Sequence, residues 1–176
     1  MGRRSYRDPM PQAPRHLVLL GPMGVGKTTI GIHVARRIGR LFLDSDAMVM
    51  DRYGRTGAEI AAADGVAMLH QVELELFIEA SDRGQPVVIA PGASVVDTEA
   101  GRAVCRTCWT VVLSASEDVL AIRRSHGVHR RSLGSSEAAH LAVVRLGHHR
   151  EVADLVVDTT SRAPDAIVAE IAGAFE

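Results

Sequence analysis

Residues 21–28 read GPMGVGKT and match the pattern G-x-x-x-x-G-K-[ST]. Residues 15–20, bounded by Pro14 and Gly21, predict a short buried strand before the match, and residues 27–38 predict a helix after it. A glycine-rich turn between a strand and a helix N-terminus points backbone N–H groups at an anion, and the helix end adds partial positive charge. The segment therefore predicts a phosphate-binding loop.

The side chains of this loop suit a nucleotide phosphate bound together with Mg²⁺. Lys27 is the one lysine among 20 basic residues, the others being arginine. A chain that uses arginine wherever charge alone matters has kept a compact ammonium here, as a position among phosphates requires. The hydroxyl of Thr28 suits Mg²⁺. We expect the nucleotide to contact Gly21, Met23, Gly24, Val25, Gly26, Lys27, Thr28 and Thr29.

The rest of the chain alternates between predicted strands and predicted helices. Four further strands are predicted at 41–43, 86–90, 109–113 and 155–158. Thr56 and Glu59 form a capping box that predicts a helix start, and Gly65 predicts a break between two helices. Because strands that alternate with helices form parallel sheets covered on both faces, we expect an α/β three-layer sandwich with a five-stranded parallel sheet.

The composition is that of one ordinary globular domain, and it excludes several classes of partner. The 176 residues are 47% hydrophobic and 3% aromatic, with a formal net charge of −1. The balanced charge argues against nucleic acid and anionic membranes, and few aromatic side chains remain for stacking on bases. The longest apolar runs are about 4 residues, far short of the ~20 that a membrane span needs.

Three segments are expected along the chain. Residues 1–14 carry arginines and prolines without an apolar stretch, so we expect a flexible arm rather than a secretory signal. Residues 15–176 form the predicted domain, and the segment rich in Gly and Ser at about 125–135 is expected to be a mobile lid. We expect a cytoplasmic protein that is a monomer and binds small molecules.

Cys105 and Cys108 form a C-x-x-C pair, the only cysteines of the chain. A zinc site would need two further ligands, and His126 and His129 offer only a loose spacing for them. The pair is interpreted as two thiols near the start of a buried strand. A metal site and a redox dithiol remain as alternatives.

Two classes of nucleotide-binding protein are excluded because the chain lacks their motifs. Guanine-specific GTPases usually carry Asn-Lys-x-Asp, which a chain with one lysine cannot contain. Motor-type ATPases need an acid at the end of an apolar strand, whereas the third predicted strand runs into Pro91 and the fourth ends at Ser114. Only Asp158 ends a later strand, in the wrong order, so a kinase that holds its metal differently fits better.

Together these residues resemble the shikimate kinases, a family of small P-loop kinases, over roughly residue 15 to the C-terminus. The resemblance implies a sheet with strand order 2-3-1-4-5 and a reaction with ATP and Mg²⁺. It also implies that Asp44 holds hydrated Mg²⁺ and that Asp46 contacts the acceptor hydroxyl as positioner or general base, which agrees with the needs of phosphoryl transfer. The alternative is that both acids merely cap the next helix.

The family resemblance also assigns arginines around the nucleotide and the acceptor. Arg150 would bind the acceptor carboxylate, and Arg131 of the lid, with Arg130 as the alternative, would close on the phosphates. Arg162 and Pro164 would lie against the adenine, and Arg124 would stack on its other face. For each arginine the alternative is a solvated surface charge. Lys27, Asp46 and Arg131 are the predicted catalytic residues.

The chain departs from the family pattern on the acceptor side. His70 stands where the family has an arginine that grips shikimate, and Pro91 stands in a run that is Gly-Gly-Gly in the family. A neutral imidazole binds a carboxylate less well than a guanidinium does, and proline has no N–H to donate. We expect Asp46, His70, Gly92 and Arg150 to bind the acceptor, which need not be shikimate. For His70 the alternative is a core histidine with a satisfied hydrogen bond. An authentic shikimate kinase and a non-catalytic ATP-binding paralogue are the alternatives.

Overall fold

The structure, a computed structural model, describes residues 15–126 and 136–175. At its centre is a five-stranded sheet in which each neighbouring pair of strands is parallel. The strands are β1 (Leu17–Leu20), β2 (Phe42–Asp44), β3 (Val88–Ala90), β4 (Trp109–Ser114) and β5 (Leu155–Asp158). Their order across the sheet is β2-β3-β1-β4-β5, which confirms the predicted fold class and strand order.

Helices connect the strands and cover both faces of the sheet. They are α1 (Lys27–Arg37), α2 (Ser45–Tyr53), α3 (Gly57–Asp64), α4 (Val66–Ser81), α5 (Glu99–Thr107), α6 (Glu117–His126), α7 (Ser136–Val152) and α8 (Pro164–Phe175). The predicted capping box begins α3, since the backbone N–H of Thr56 donates to Glu59 Oε2 at 2.7 Å and that of Glu59 donates to Thr56 Oγ1 at 3.2 Å. Gly65 separates α3 from α4, as predicted.

A short 3₁₀ helix, Ala93–Asp97, follows β3 and has no counterpart in the sequence prediction. Its five residues are too few to show a helical repeat of apolar positions. It places Gly92 and Ser94 beside α4, which matters for the site described below.

The two faces of the sheet bury different sets of side chains. Leu17 and Leu19 of β1 belong to a core formed with α1 and α8, whereas Val18 and Leu20 belong to a core formed with α4 and α5. Successive side chains of a strand point to opposite faces, so a strand that is buried on both faces is apolar at nearly every position. This explains why the strand before the phosphate-binding loop is an unbroken apolar run rather than an alternating one.

The chain order reverses on either side of β1, because β3 lies on one side of it and β4 on the other. In open parallel sheets such a reversal opens a crevice at the carboxyl ends of the strands. The phosphate-binding loop, which leaves β1 at this point, therefore lies at the mouth of that crevice.

Two of the sequence predictions lie outside the described residues. These are the arm at residues 1–14 and the greater part of the lid at 125–135, of which the structure describes residues 125 and 126 at the end of α6. Within the described ranges, none of the helices combines the length and apolar character needed to cross a membrane.

Candidate active site

A cleft of about 560 Å³ opens at the carboxyl edge of the sheet. Its walls come from the phosphate-binding loop, the ends of β2 and β3, α4, α6 and the loop between β5 and α8. Twelve of the predicted site residues line it: Met23, Gly24, Val25, Gly26, Lys27, Thr28, Thr29, Asp44, Asp46, Gly92, Arg162 and Pro164. The fold thus brings these predicted nucleotide residues and the two acids, Asp44 and Asp46, into one space.

The backbone of the phosphate-binding loop requires glycine at three of its positions. At Gly21, φ is +142° and a Cβ would collide with the Leu113 carbonyl oxygen. Gly24 and Gly26 have φ angles of +84° and +103°, in the left-handed region that side chains disfavour. A Cβ on Gly24 would also press against Arg124 of α6. Gly26 is the N-cap of α1 and offers no side-chain cap, so the first amides of α1 stay available to an anion.

The ammonium of Lys27 is partly buried between this loop and three carboxylates. Its Nζ donates to the carbonyls of Gly21 at 2.9 Å and Pro22 at 3.4 Å. Burial lowers the pKa of Lys27, and the charges of Asp44, Asp46 and Glu73 oppose that change. The lysine therefore lines the cleft close to the phosphate-binding loop, with the carboxylates of Asp44, Asp46 and Glu73 nearby.

Asp44 joins the loop to the start of α2. Its Oδ2 accepts a hydrogen bond of 2.7 Å from the Thr28 hydroxyl, and its Oδ1 accepts one of 2.9 Å from the backbone N–H of Asp46. Asp44 is therefore the N-cap of α2, and its other oxygen faces Thr28. Asp44 can cap α2 and also take part in the site, because Oδ1 accepts the capping hydrogen bond while Oδ2 faces Thr28.

Asp46 and Glu73 place two further carboxylates on the walls of the cleft. Asp46 is exposed in the first turn of α2. Glu73 of α4 accepts a hydrogen bond of 2.5 Å from the buried Ser94 hydroxyl, and a Cβ on Gly92 would collide with its carboxyl group. Glycine at position 92 is therefore required for the close approach of the loop after β3 to α4.

Four predicted site residues do not line the cleft. Gly21 is buried at the end of β1, and His70 is partly buried on α4, three residues before Glu73. Arg124 forms an ion pair with Glu117 within α6, and Arg150 is exposed near the end of α7. The predicted catalytic Arg131 lies outside the described residues, as does Arg130.

Ion pairs hold the part of α7 that carries Arg150. Arg145 donates to Asp97 of the 3₁₀ helix from Nε at 2.9 Å and from Nη2 at 2.5 Å. Glu151 pairs with Arg106 of α5. Arg150 therefore extends from a helix that is tied to its neighbours on both sides of this residue.

His149 precedes Arg150 and is 4% exposed. Its Nε2 is buried and finds no hydrogen-bond partner among the described residues. Burial lowers the pKa of His149 to about 4, with further contributions from the positive charges of Lys27 and Arg145, and Asp97 opposes them. The imidazole is therefore neutral near pH 7.

The sequence prediction missed Glu73, Arg123 and Thr159, all of which line the cleft. Glu73 stands next to Val72 in the apolar stripe of α4, and an acid within such a stripe is a signal that sequence reasoning could have used. Arg123 lies three positions after the buried Leu120, on the inner side of α6. No comparable pattern marks Thr159, whose burial depends on the packing of β5.

Cys105 and Cys108 lie in the core of the described part of the chain, whereas His129, weighed with His126 as a zinc ligand, lies outside the described residues. Cys105 and Cys108 are free and buried, and no group of three or more potential metal-binding side chains occurs in the part of the chain that the structure describes. Burial raises the pKa of the Cys105 thiol to about 12. The geometry favours the interpretation of the pair as core residues.

A five-stranded sheet in the order 2-3-1-4-5, with a glycine-rich loop after β1 and two acids after β2, defines a P-loop kinase. The family model for shikimate kinase matches residues 23–176. The shikimate kinase of Symbiobacterium thermophilum is 35% identical, over 89% of this chain and 93% of the relative. That of Geobacter sulfurreducens is 33% identical over 97% of this chain and 96% of the relative.

A solved structure agrees with these relatives. The shikimate kinase from Acinetobacter baumannii, in complex with shikimate, matches with a TM-score of 0.81 and 27% identity over 89% of this chain and 90% of that one. The chain belongs to the shikimate kinase family. It is accordingly an ATP-dependent phosphotransferase with an alcohol group as acceptor.

Proposed function

We propose that the protein transfers the γ-phosphate of ATP to a hydroxyl group of shikimate. The observation that carries this proposal is the convergence of the phosphate-binding loop, Lys27 and the acids Asp44 and Asp46 in one cleft. The match to a relative solved with shikimate supports the choice of acceptor. Shikimate is thus the better supported acceptor, and the hypothesis of a different acceptor receives no comparable support.

The loop and Lys27 would hold the triphosphate. The left-handed glycines orient the backbone of the loop, and the uncapped start of α1 adds N–H donors and partial positive charge. Lys27 would exchange its contacts with the carbonyls of Gly21 and Pro22 for phosphate oxygens. Positioning of this kind supplies most of the catalysis in phosphoryl transfer.

Thr28 and Asp44 suit Mg²⁺, because a hydroxyl and a carboxylate lie 2.7 Å apart and Mg²⁺ prefers oxygen ligands. Mg²⁺ sites at nucleotides use one or two protein oxygens together with phosphates and water, so a larger acidic cluster is not needed. When bound, the ion would neutralise charge on the phosphate oxygens. We assign Thr28 and Asp44 as its protein ligands, Asp44 through water.

Asp46 would orient the acceptor and take its proton. The acceptor oxygen attacks the γ-phosphorus, the bond from that phosphorus to the bridging β–γ oxygen breaks, and ADP leaves with the bonding electrons. The hydroxyl proton passes to the Asp46 carboxylate. The exposed position of Asp46 on the cleft wall allows it to meet a small acceptor directly.

On the acceptor side we assign Gly92, His70 and Arg150 as binding residues. Pro91 has no N–H to donate, and Gly92 lines the cleft. Arg150 provides a full positive charge for the shikimate carboxylate, and His70 adds a weaker contact from α4. The adenine would lie against Arg162 and Pro164, with Arg124 on its other face and Arg131 closing on the phosphates.

The test is a coupled assay of ADP release with shikimate, run on the wild type and on Asp46→Asn. Loss of the proton acceptor should lower kcat by about 100-fold or more, since general-base catalysis contributes about 10²–10⁴. Asp51→Asn is the matched control, because Asp51 is exposed on the same helix and does not line the cleft. Equal activity of Asp46→Asn and wild type would contradict the assignment.

A panel of polyols, hydroxy acids and nucleosides decides between acceptors. Faster turnover of another panel member than of shikimate would revive the hypothesis of a different acceptor. Tight ATP binding without transfer to any member would favour a non-catalytic protein. His70→Arg should lower the KM for shikimate, because a guanidinium binds a carboxylate in a bidentate manner.

A further inference from the structure

Arg123 of α6 lies where this helix packs against the phosphate-binding loop. Its Nη1 donates to the carbonyl oxygen of Val25 at 3.3 Å and to Thr159 Oγ1 at 3.0 Å, and its Nη2 donates to the carbonyl oxygen of Thr159 at 2.9 Å. A Cβ on Gly24 would lie within 4 Å of Arg123 Cβ and of the Leu120 carbonyl oxygen. The guanidinium thus connects the loop after β1 with the loop after β5.

Thr159 completes the same set of contacts from the other side. It is 2% exposed, and its Oγ1 donates to the carbonyl oxygen of Val25 at 3.4 Å while accepting from Arg123. Its own N–H donates to the Ser114 carbonyl at 2.7 Å, which ties it to the end of β4. Thr159 is therefore anchored to the sheet, and its hydroxyl restrains the carbonyl of Val25.

The carbonyl that these two residues bind belongs to the peptide unit between Val25 and Gly26. Because a trans peptide is planar, its C=O and N–H point in opposite directions, and fixing one fixes the other. The N–H of that unit is the amide of Gly26, which lines the cleft and caps α1. Gly26 has a positive φ and no side chain, so the peptide would otherwise turn more freely than most.

We propose that Arg123 and Thr159 form a clamp on the Val25 carbonyl that orients the phosphate-binding loop for ATP, and that Arg123 is a positioning residue of the reaction. The clamp consists of Arg123, Thr159 and the Val25 carbonyl. This proposal rests on the proposed function for one point only, namely that the loop binds ATP. The clamp also places the phosphate-binding loop and the loop that carries Arg162 and Pro164 in one fixed arrangement.

The clamp predicts an effect on ATP and not on the acceptor. In Arg123→Met the Val25 carbonyl loses its charged donor, and the Kd and the KM for ATP should both rise roughly tenfold, which equals about 1.4 kcal/mol. The KM for shikimate should stay within about twofold. Calorimetric titration with ATP gives the Kd, and the coupled assay gives the two KM values.

Two further variants test the geometry of the clamp. Thr159→Val keeps the shape and removes the hydroxyl, and the Kd for ATP should rise about threefold because the guanidinium keeps its other contacts. Arg123→Lys keeps the charge with fewer donors and should fall between wild type and Arg123→Met. In the double variant, Arg123→Met with Thr159→Val, the loss should be smaller than the product of the single losses, because the two residues share one contact.

Arg52→Met is the matched control, since Arg52 is an exposed arginine of α2 whose ion pair is with Glu79. It should leave the Kd for ATP unchanged. The proposal is overturned if folded Arg123→Met binds ATP within twofold of wild type, if Arg123→Lys equals wild type, or if the double variant shows the full product of the single losses. Should Arg123→Met fail to fold, an unchanged Kd for Thr159→Val overturns the proposal.

Failure of the clamp and failure of the proposed function give different results. A wild-type protein that binds ATP but does not phosphorylate shikimate would contradict the proposed function, while the titrations with ATP would still test the clamp. Normal shikimate phosphorylation together with unchanged ATP binding in Arg123→Met and Thr159→Val would contradict the clamp alone.

Discussion

At the scale of single residues, the charge on each group depends on what the fold places around it. Lys27 is held near three carboxylates, whereas His149 is buried near the positive charges of Lys27 and Arg145. His148 also lowers the pKa of His149, and Asp97 opposes this change. Burial lowers the pKa of both groups, but the carboxylates oppose that change at Lys27, whereas the nearby positive charges add to it at His149.

His149 predicts a loss of stability in mild acid. Its pKa is about 4 in the folded state, against an ordinary value near 6.5, so between these pH values the unfolded chain binds a proton that the folded protein does not. The free energy of unfolding should therefore fall as the pH drops through this range. The contribution of His149 between pH 7 and pH 5 is roughly 2 kcal/mol.

Urea denaturation of the wild type and His149→Phe at several pH values measures this contribution. The variant should lose roughly 2 kcal/mol less stability than the wild type between pH 7 and pH 5. His33→Phe is the matched control, because His33 is exposed on α1, and it should follow the wild type. Parallel curves for wild type and His149→Phe would show that His149 is not the group responsible.

At the scale of elements, the residues proposed for the phosphates lie in the loop after β1 and at the start of α1, whereas most of those proposed for the acceptor lie on other helices. The phosphate-binding loop is continuous with β1, the central strand. Arg150, in contrast, depends on how α7 is attached to the 3₁₀ helix and to α5. The backbone geometry of the loop therefore positions the residues proposed for the phosphates, and contacts between side chains position Arg150, which we proposed for the acceptor.

The ion pair between Arg145 and Asp97 is expected to affect the KM for the acceptor, because it holds the helix that carries Arg150. Asp97→Asn removes the charge that pairs with Arg145 and loosens α7 against the residues that follow Gly92. The KM for shikimate should rise about threefold or more while the KM for ATP changes little. Steady-state kinetics with each substrate varied in turn measures the two values.

Glu79→Gln, in the exposed pair with Arg52, is the control and should alter neither KM, because exposed ion pairs contribute little. An equal rise of both KM values in Asp97→Asn would mean that the bond supports the whole domain. The acceptor side would then not depend on it specifically.

At the scale of the whole molecule, the two cores on either side of the sheet determine what is accessible. Cys105 and Cys108 lie in the core shared with α4 and α5, at 0% and 2% exposure. Their thiols can meet a reagent only when that layer opens. Burial also raises the pKa of both thiols, so few thiolates exist in the folded protein.

The native protein should therefore react very slowly with a thiol reagent at pH 8, and the protein in urea should react at two thiols. With a pKa of about 12, the thiolate fraction of Cys105 at pH 8 is about 10⁻⁴. Absorbance of the released reagent anion follows the reaction. Fast labelling of the native protein, or zinc found by elemental analysis, would instead support a redox or metal role for the pair.

The sequence by itself determined the parallel sheet, the phosphate-binding loop and the acids after β2. Each of these depends on local patterns: the apolar run before Gly21, the glycines that allow positive φ, and polar residues at a strand end. The sequence also carried the family assignment. Glu59, Thr56 and Gly65 marked helix boundaries through contacts within a few residues.

Only the tertiary structure decided which side chains face the cleft. Glu73 meets Ser94 across 21 positions, and Arg123 meets Val25 across 98, so no local pattern encodes either contact. The same holds for Thr159, which is buried because β5 pairs with β4. Contacts of this kind depend on how distant elements pack, since the free energy that orders them comes from burial of the whole core.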